Sequence, residues 1–217
     1  MTDQNLTHLY FLLDRSGSME SIRLDTQGGF DSFIREQRQA PGECRVTLAQ
    51  FDTEYEEVYR DLPLADVPPL HLQPRGMTAL LDSIGRLIGD AGARLAALAE
   101  DARPGSVIIG IMTDGHENSS RELTHPQVKA MIERQSKEYD WQFLFMGADQ
   151  DAIEVGASIG VPAANAMTYS RGRVDAMMAA TSANIRGYRT ARAAGRPAKE
   201  AAAEIAFTDA QRSAAQE

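Results

Sequence analysis

The chain has 217 residues, 43% of them hydrophobic and 24% charged, with a formal net charge of −9 and a single cysteine. That length supports one well-buried core with an appendage rather than two full domains, and the composition is that of an ordinary globular protein. The lone Cys44 excludes an internal disulfide framework or a paired-thiolate metal clamp and fits a reducing, cytoplasmic setting, while the acidic balance argues against nucleic acid or an anionic membrane as a partner of the whole surface.

Leu9-Tyr10-Phe11-Leu12-Leu13 is the first apolar run. It is too short to span a membrane and no basic region precedes it, so it reads as a core strand. It ends in Asp14-Arg15-Ser16-Gly17-Ser18, a carboxylate followed by hydroxyls on alternate residues. Asp14, Ser16 and Ser18 are hard oxygen donors that suit Mg²⁺ or Mn²⁺, and no Cys or His sits nearby to suggest zinc. The two serines equally suit the N-cap of a following helix. From Met19 to about Gln39 no proline interrupts the chain, and Ile22, Phe30, Phe33 and Ile34 supply apolar contacts. A helix is expected there, stopped by Ala40-Pro41-Gly42. Gly28-Gly29 inside it costs about 1 kcal/mol per glycine relative to alanine, and close approach of the helix to a sheet is the expected compensation.

Arg45 to Asp52 alternates and is β-prone, and Glu57-Val58-Tyr59-Arg60 reads as its hairpin partner after a polar turn. Pro63, Pro68, Pro69 and Pro74 mark an irregular connection. Arg75-Gly76-Met77-Thr78 then opens a long helix whose Leu80, Leu81, Ile84, Leu87 and Ile88 recur at three- and four-residue steps. Val107 to Met112 is a continuous apolar run, as expected of a parallel strand buried on both faces, and it passes into the polar loop Thr113-Asp114-Gly115-His116-Glu117. Thr124, Pro126 and Gln127 form a capped helix start with Val128, Met131 and Ile132 as the buried face. Trp141 to Met146 is another strand, followed by a helix around Asp151 to Ile159 and a short strand near Ala163 to Met167.

Strands alternating with helices, interrupted by one hairpin, predict an α/β fold: a Rossmann-like, doubly wound, mostly parallel open sheet with one antiparallel edge strand and helices on both faces. Residues 1–169 are expected to form this body and residues 170–217 an Ala-rich helical C-terminal extension. In the extension Val174, Met177, Met178, Thr181, Ile185 and Tyr188 make one stripe, and a second helix follows Pro197. The stripe suits packing on the body or self-association with a second subunit. Residues 171–217 carry 8 Lys and Arg against 5 Asp and Glu, leaving 14 against 26 on residues 1–170, so a basic tail is expected to dock on an acidic body.

In open parallel sheets ligands bind in the crevice at the C-terminal ends of the strands. Three loops bring oxygen donors there: Asp14, Ser16 and Ser18 after the first strand, Thr78 before a helix, and Asp114 after the buried strand. These residues resemble the von Willebrand factor A family and its metal-ion-dependent adhesion site. Asp14-Arg15-Ser16-Gly17-Ser18 matches the family's Asp-x-Ser-x-Ser element, Gly76-Met77-Thr78 its single threonine, and Thr113-Asp114-Gly115 its later Asp-Gly. The resemblance covers about residues 6–168 and is greatest to the compact, stand-alone bacterial members. It implies a divalent cation, Mg²⁺ first with Mn²⁺ or Ca²⁺ as alternatives, held by Asp14, Ser16, Ser18, Thr78 and Asp114, the carboxylates often acting through water. With few direct anions such an ion keeps positive charge and an open position that a partner's Asp or Glu can fill.

The expected function is therefore a metal-ion-dependent protein-binding module, not an enzyme. By family analogy its partner is an AAA+ ATPase or another component of a bacterial assembly. The rival is a metal-dependent hydrolase, phosphatase- or nuclease-like, with His116 and Glu117 as candidate bases. Against it, Asp14 is followed by hydroxyls where a haloacid-dehalogenase-like enzyme has a second carboxylate, and the chain has no P-loop, no GxSxG elbow and no nucleophile motif around Cys44. Met19 and Met77 flank the site, either as an apolar rim or as core.

Overall fold

The central strand β1 (Asp3–Asp14) divides its side chains between two cores: Leu9, Phe11 and Leu13 enter one, Tyr10 and Leu12 the other. This is the period of two expected of a strand covered on both faces. In the computed structural model, which describes residues 2–217, five further strands surround it: β2 (Glu43–Phe51), β3 (Tyr55–Pro63), β4 (Pro104–Thr113), β5 (Gln142–Ala148) and β6 (Ala166–Tyr169). They pair in the order β3-β2-β1-β4-β5-β6, parallel throughout except for the antiparallel β2–β3 edge. The predicted Rossmann-like, mostly parallel sheet with one antiparallel edge strand is the observed one.

On one face lie α1 (Arg23–Gln37) and α5 (Val174–Ala193), and on the other α2 (Leu80–Ala97), α3 (His125–Tyr139) and the short α4 (Ala152–Ser158). Phe11 meets Phe30 and Phe33 edge-on, with ring centroids 5.2 and 4.9 Å away. α3 starts as its sequence dictates: Thr124 and Gln127 form a reciprocal capping box with a proline in the first turn.

Two helical expectations are corrected by packing. The helix expected from Met19 begins instead as a 3₁₀ segment, Gly17–Ile22, and becomes α only at Arg23. The tighter winding draws Met19 fully into the core while leaving Ser18 exposed beside it. The close approach at Gly29 is to another helix, not to the sheet: a Cβ there would lie 3.0 Å from Met178 Cγ of α5.

The tail supplies half of one helical layer. Met177, Met178, Ile185 and Tyr188 join the same core as Leu9 and Phe11. The helix expected after Pro197 is a single turn, α6 (Ala198–Ala201), continued as 3₁₀ to Ile205; a third helix, α7 (Asp209–Gln216), follows a Thr208/Gln211 capping box. The break lets Ile205 and Phe207 turn into the core, where a continuous Ala-rich helix would have left them on one side. The tail's arginines dock chiefly on backbone carbonyls rather than on acidic side chains. Arg189 Nη1 donates to Gln37 O at 2.8 Å, at the carbonyl end of α1, and Arg192 Nη2 to Gly105 O at 2.9 Å. Among the described residues no helix is long and apolar enough to cross a membrane.

Candidate metal centre

From β1 the chain turns through α1 to β2 on one side, then returns through α2 to β4 on the other, so the strand order reverses at the β1–β4 seam. A crevice opens at such a switch point, beyond the strands' C-terminal ends. Leu13 pairs with Met112, which sets Asp14 and Thr113 level at that edge. Thr113 Oγ1 donates to Asp14 Oδ2 at 2.5 Å, and the Ser16 amide donates to Asp14 Oδ1 at 2.6 Å. Both Asp14 carboxylate oxygens are thereby held by hydrogen bonds.

The hydroxyls are chained. Ser16 Oγ and Ser18 Oγ are 3.0 Å apart, and Ser18 Oγ donates to Asp114 Oδ1 at 2.6 Å. Thr78 arrives on a separate loop, and Gly115 shows where it ends up. A Cβ on Gly115 would lie 2.9 Å from Thr78 Oγ1, 3.5 Å from Ser18 Oγ and 3.7 Å from Asp14 Oδ2. All five sequence-predicted residues thus meet in one crevice: three oxygens surround one point, and Ser16 and Asp114 join through Ser18. Asp14, Ser16, Thr78 and Asp114 are buried while Ser18 is exposed, which leaves one side open to solvent.

The loop carrying Thr78 is held partly within the quoted sequence elements and partly by Asp52 and Asn118, which the sequence did not single out. Gly76 has φ of +68°, a conformation that favours glycine, and accepts a hydrogen bond on its carbonyl from the Gly17 amide at 3.2 Å. The Arg75 amide donates to Arg15 O at 2.7 Å, the Ala79 amide to Asp52 O at 2.9 Å, and the Thr78 amide to Asn118 Oδ1 at 2.9 Å. Beneath the loop the Asp52 carboxylate accepts from Arg15 Nε at 2.8 Å, Arg75 Nε at 2.9 Å and the Glu54 amide at 2.8 Å. Burial pushes Asp52 up, but the bonds from Arg75, the Glu54 amide and Arg15 outweigh it and hold the carboxyl below its usual range.

Asp14 and Asp114 are in the opposite condition. Burial pushes Asp14 up to about 6 in spite of its bonds from Thr113 and Ser16, and burial also raises Asp114 against its bond from Ser18 and the nearby Arg171. Asp114 Oδ2 is buried and accepts no hydrogen bond; Arg171 Nη1 stands 3.2 Å from it as an ion-pair partner. Two carboxyls destabilised by burial, one with an unsatisfied oxygen, beside three hydroxyls, fit a hard divalent cation. Among the described residues no group of three or more His, Cys, Asp and Glu is placed to hold a metal.

The flanking candidates separate. Met19 is core, whereas Met77 is 51% exposed at the rim. Glu117 is spent on structure: its carboxylate accepts from the amides of Leu81, Ser119 and Ser120 and from Ser120 Oγ. His116 is exposed on the loop.

No protein-family model matches the sequence, and no curated protein matches it. Solved structures do. The chain is similar to the ArnB paralogue VWA2 from Sulfolobus acidocaldarius, at 13% identity over 81% of this chain and 44% of that one, with a TM-score of 0.52. It is similar to the vWF domain of the type V pili tip protein Mfa5 from Porphyromonas gingivalis, at 12% identity over 82% and 94%, with a TM-score of 0.56. A von Willebrand factor type A protein from Catenulispora acidiphila matches at 15% identity over 85% and 43%, with a TM-score of 0.51. The chain spans less than half of the Sulfolobus and Catenulispora chains and nearly all of the Mfa5 domain. The fold is that of von Willebrand factor A domains, in agreement with the resemblance carried by the loop residues.

Proposed function

We propose that the chain is a metal-ion-dependent protein-binding module, in which Asp14, Ser16, Ser18, Thr78 and Asp114 hold a divalent cation at the C-terminal edge of the sheet. Mg²⁺ is the first choice, with Mn²⁺ or Ca²⁺ as alternatives, since every donor is a hard oxygen. The observation that carries the reading is the meeting of Thr78 Oγ1, Ser18 Oγ and Asp14 Oδ2 around Gly115. When bound, the cation supplies a Lewis-acidic position for an anionic ligand. The chain's own residues do the rest: Thr113 and the Ser16 amide orient Asp14, Ser18 faces solvent, and exposed Met77 offers an apolar contact beside the opening. The ligand this favours is an Asp or Glu carboxylate of another protein, recognised by charge and by the metal together.

The likeness to a domain of a pilus tip protein supports a protein as the partner. Family analogy narrows it to an AAA+ ATPase or another bacterial assembly component, met in the cytoplasm, with neither membrane nor nucleic acid required. What favours binding over hydrolysis is the state of the candidate bases: both Glu117 oxygens already accept hydrogen bonds, and His116 is exposed on its loop. The test is thermal unfolding with and without Mg²⁺ or Mn²⁺, for the wild type and Asp14→Ala. A metal-dependent rise in Tm that Asp14→Ala abolishes is expected, and equal rises in both proteins would remove the site. Lysate capture with and without chelator, beside a phosphatase and nuclease panel, then separates the functions. Metal-dependent turnover lost in Asp14→Ala would replace the binding reading.

A further inference from the structure

Arg171 lies in the turn Arg171–Arg173 that leads into α5, outside every motif legible in the sequence, yet its guanidinium enters the crevice. Nη1 is 3.2 Å from Asp114 Oδ2, donates to Ser21 Oγ at 2.7 Å and to Ser18 O at 3.2 Å. Nε donates to Asp149 Oδ2 at 2.7 Å. One cation therefore ties together the loops that follow β1, β4 and β5. It is tethered there, since Val174 and Met177 immediately after it are buried in the core. The side chain itself is 37% exposed and touches two carboxylates through different nitrogens, one buried in the crevice and one half-exposed outside it.

We propose that Arg171 is an internal cation that competes with the divalent ion for Asp114 and thereby sets the ion affinity of the site. The inference rests on the site reading above. A guanidinium and a divalent cation facing one carboxylate repel each other, and the repulsion is strong where burial limits screening. The single ion-pair contact between Nη1 and Asp114 Oδ2 must be given up, or made less favourable, as the ion is taken in. The Nε contact to Asp149 does not involve Asp114 and gives the guanidinium a second place to rest. Asp149 itself has a φ of +50°, so its carboxylate is presented by a backbone conformation that Asp and Asn tolerate better than most residues.

The opposite role is a purely supporting one, in which Arg171 holds Asp114 in place for the ion; the two roles differ in sign. Isothermal titration of the full chain with Mn²⁺ at fixed ionic strength distinguishes them. Competition makes Arg171→Gln bind the ion about tenfold more tightly, and leaves Arg171→Lys within about threefold of the wild type because the charge is kept. Equal or weaker binding by Arg171→Gln overturns the proposal. Asp149→Asn gives an independent measurement: it releases the guanidinium onto Asp114 and weakens ion binding about threefold, an effect that disappears in the Arg171→Gln background. Unchanged or tighter binding by Asp149→Asn, or an equal weakening in both backgrounds, also overturns it. Ion binding that Asp14→Ala abolishes and Arg171→Gln leaves unaltered removes this inference alone. No heat of binding from either the wild type or Arg171→Gln removes it together with the site.

Discussion

Two clusters of buried carboxylates lie side by side at the same sheet edge, and they are wired in opposite ways. Asp52 is closed: two guanidinium groups and an amide meet its oxygens, and its carboxyl is held low. Asp14 and Asp114 are open: hydroxyls meet them, burial raises both, and Asp114 Oδ2 accepts no hydrogen bond. A carboxylate hydrogen-bonded to two guanidinium groups is a fastener, whereas Asp14, met by neutral donors, and Asp114, with a single half-exposed arginine at one oxygen, still have charge to share. The contrast divides the labour between a cluster that shapes the Thr78 loop and a cluster that the loop completes.

The sharpest break in that contrast is Asp52→Ala, which leaves Arg15 buried without its main partner and unties the loop from below. A loss of about 3 kcal/mol in stability is expected from urea unfolding, with metal present or absent alike. A loss under 1 kcal/mol would mean that Glu56, which also pairs with Arg15, suffices. Gly115→Ala acts on the other cluster, placing a methyl group 2.9 Å from Thr78 Oγ1. Overpacking of this kind costs about 1–3 kcal/mol, and the metal-dependent rise in Tm should vanish with it. A retained rise would relocate the ion away from that point.

The smallest effect sharpens the comparison by fixing the pH at which it should be made. His8, at the middle of β1, is buried, stacks on Tyr10 at 4.0 Å and shares a hydrogen bond with Thr47 Oγ1 at 2.9 Å. Burial lowers its pKa to about 4, in spite of Asp61 nearby. Its folded value lies below its unfolded one, so the stability it contributes is fully present above about pH 6.5 and is lost as pH falls toward 4. His8→Gln should flatten the loss of stability over that window by about 1–2 kcal/mol in urea unfolding at successive pH values. An unchanged slope would place the loss elsewhere. Ion titrations belong at pH 7 or above, clear of this window.

Much of the sheet was legible because each strand announces itself locally: an apolar run such as Val107 to Met112 needs no knowledge of its neighbours. The five oxygen residues were legible for a similar reason, each sitting where a strand ends or a helix begins. What escaped depends on contacts between distant segments. Arg171 reaches Ser18 across 153 positions, and one of two arginines in the short run Ser170-Arg171-Gly172-Arg173 has no period or spacing to betray it. Gly29 signalled a close approach, but the expected partner was the sheet and the actual one is Met178 of α5. The broken tail helix was hidden because Ala-rich sequence satisfies helix propensity everywhere, and only burial of Ile205 and Phe207 decides where the helix must bend.

The bond between Thr113 and Asp14 spans 99 residues, and it exists only once β1 has acquired β4 as its second neighbour. The crevice therefore has no counterpart in the unfolded chain, where these two segments lie far apart. Anything that binds it would favour the folded molecule by mass action alone.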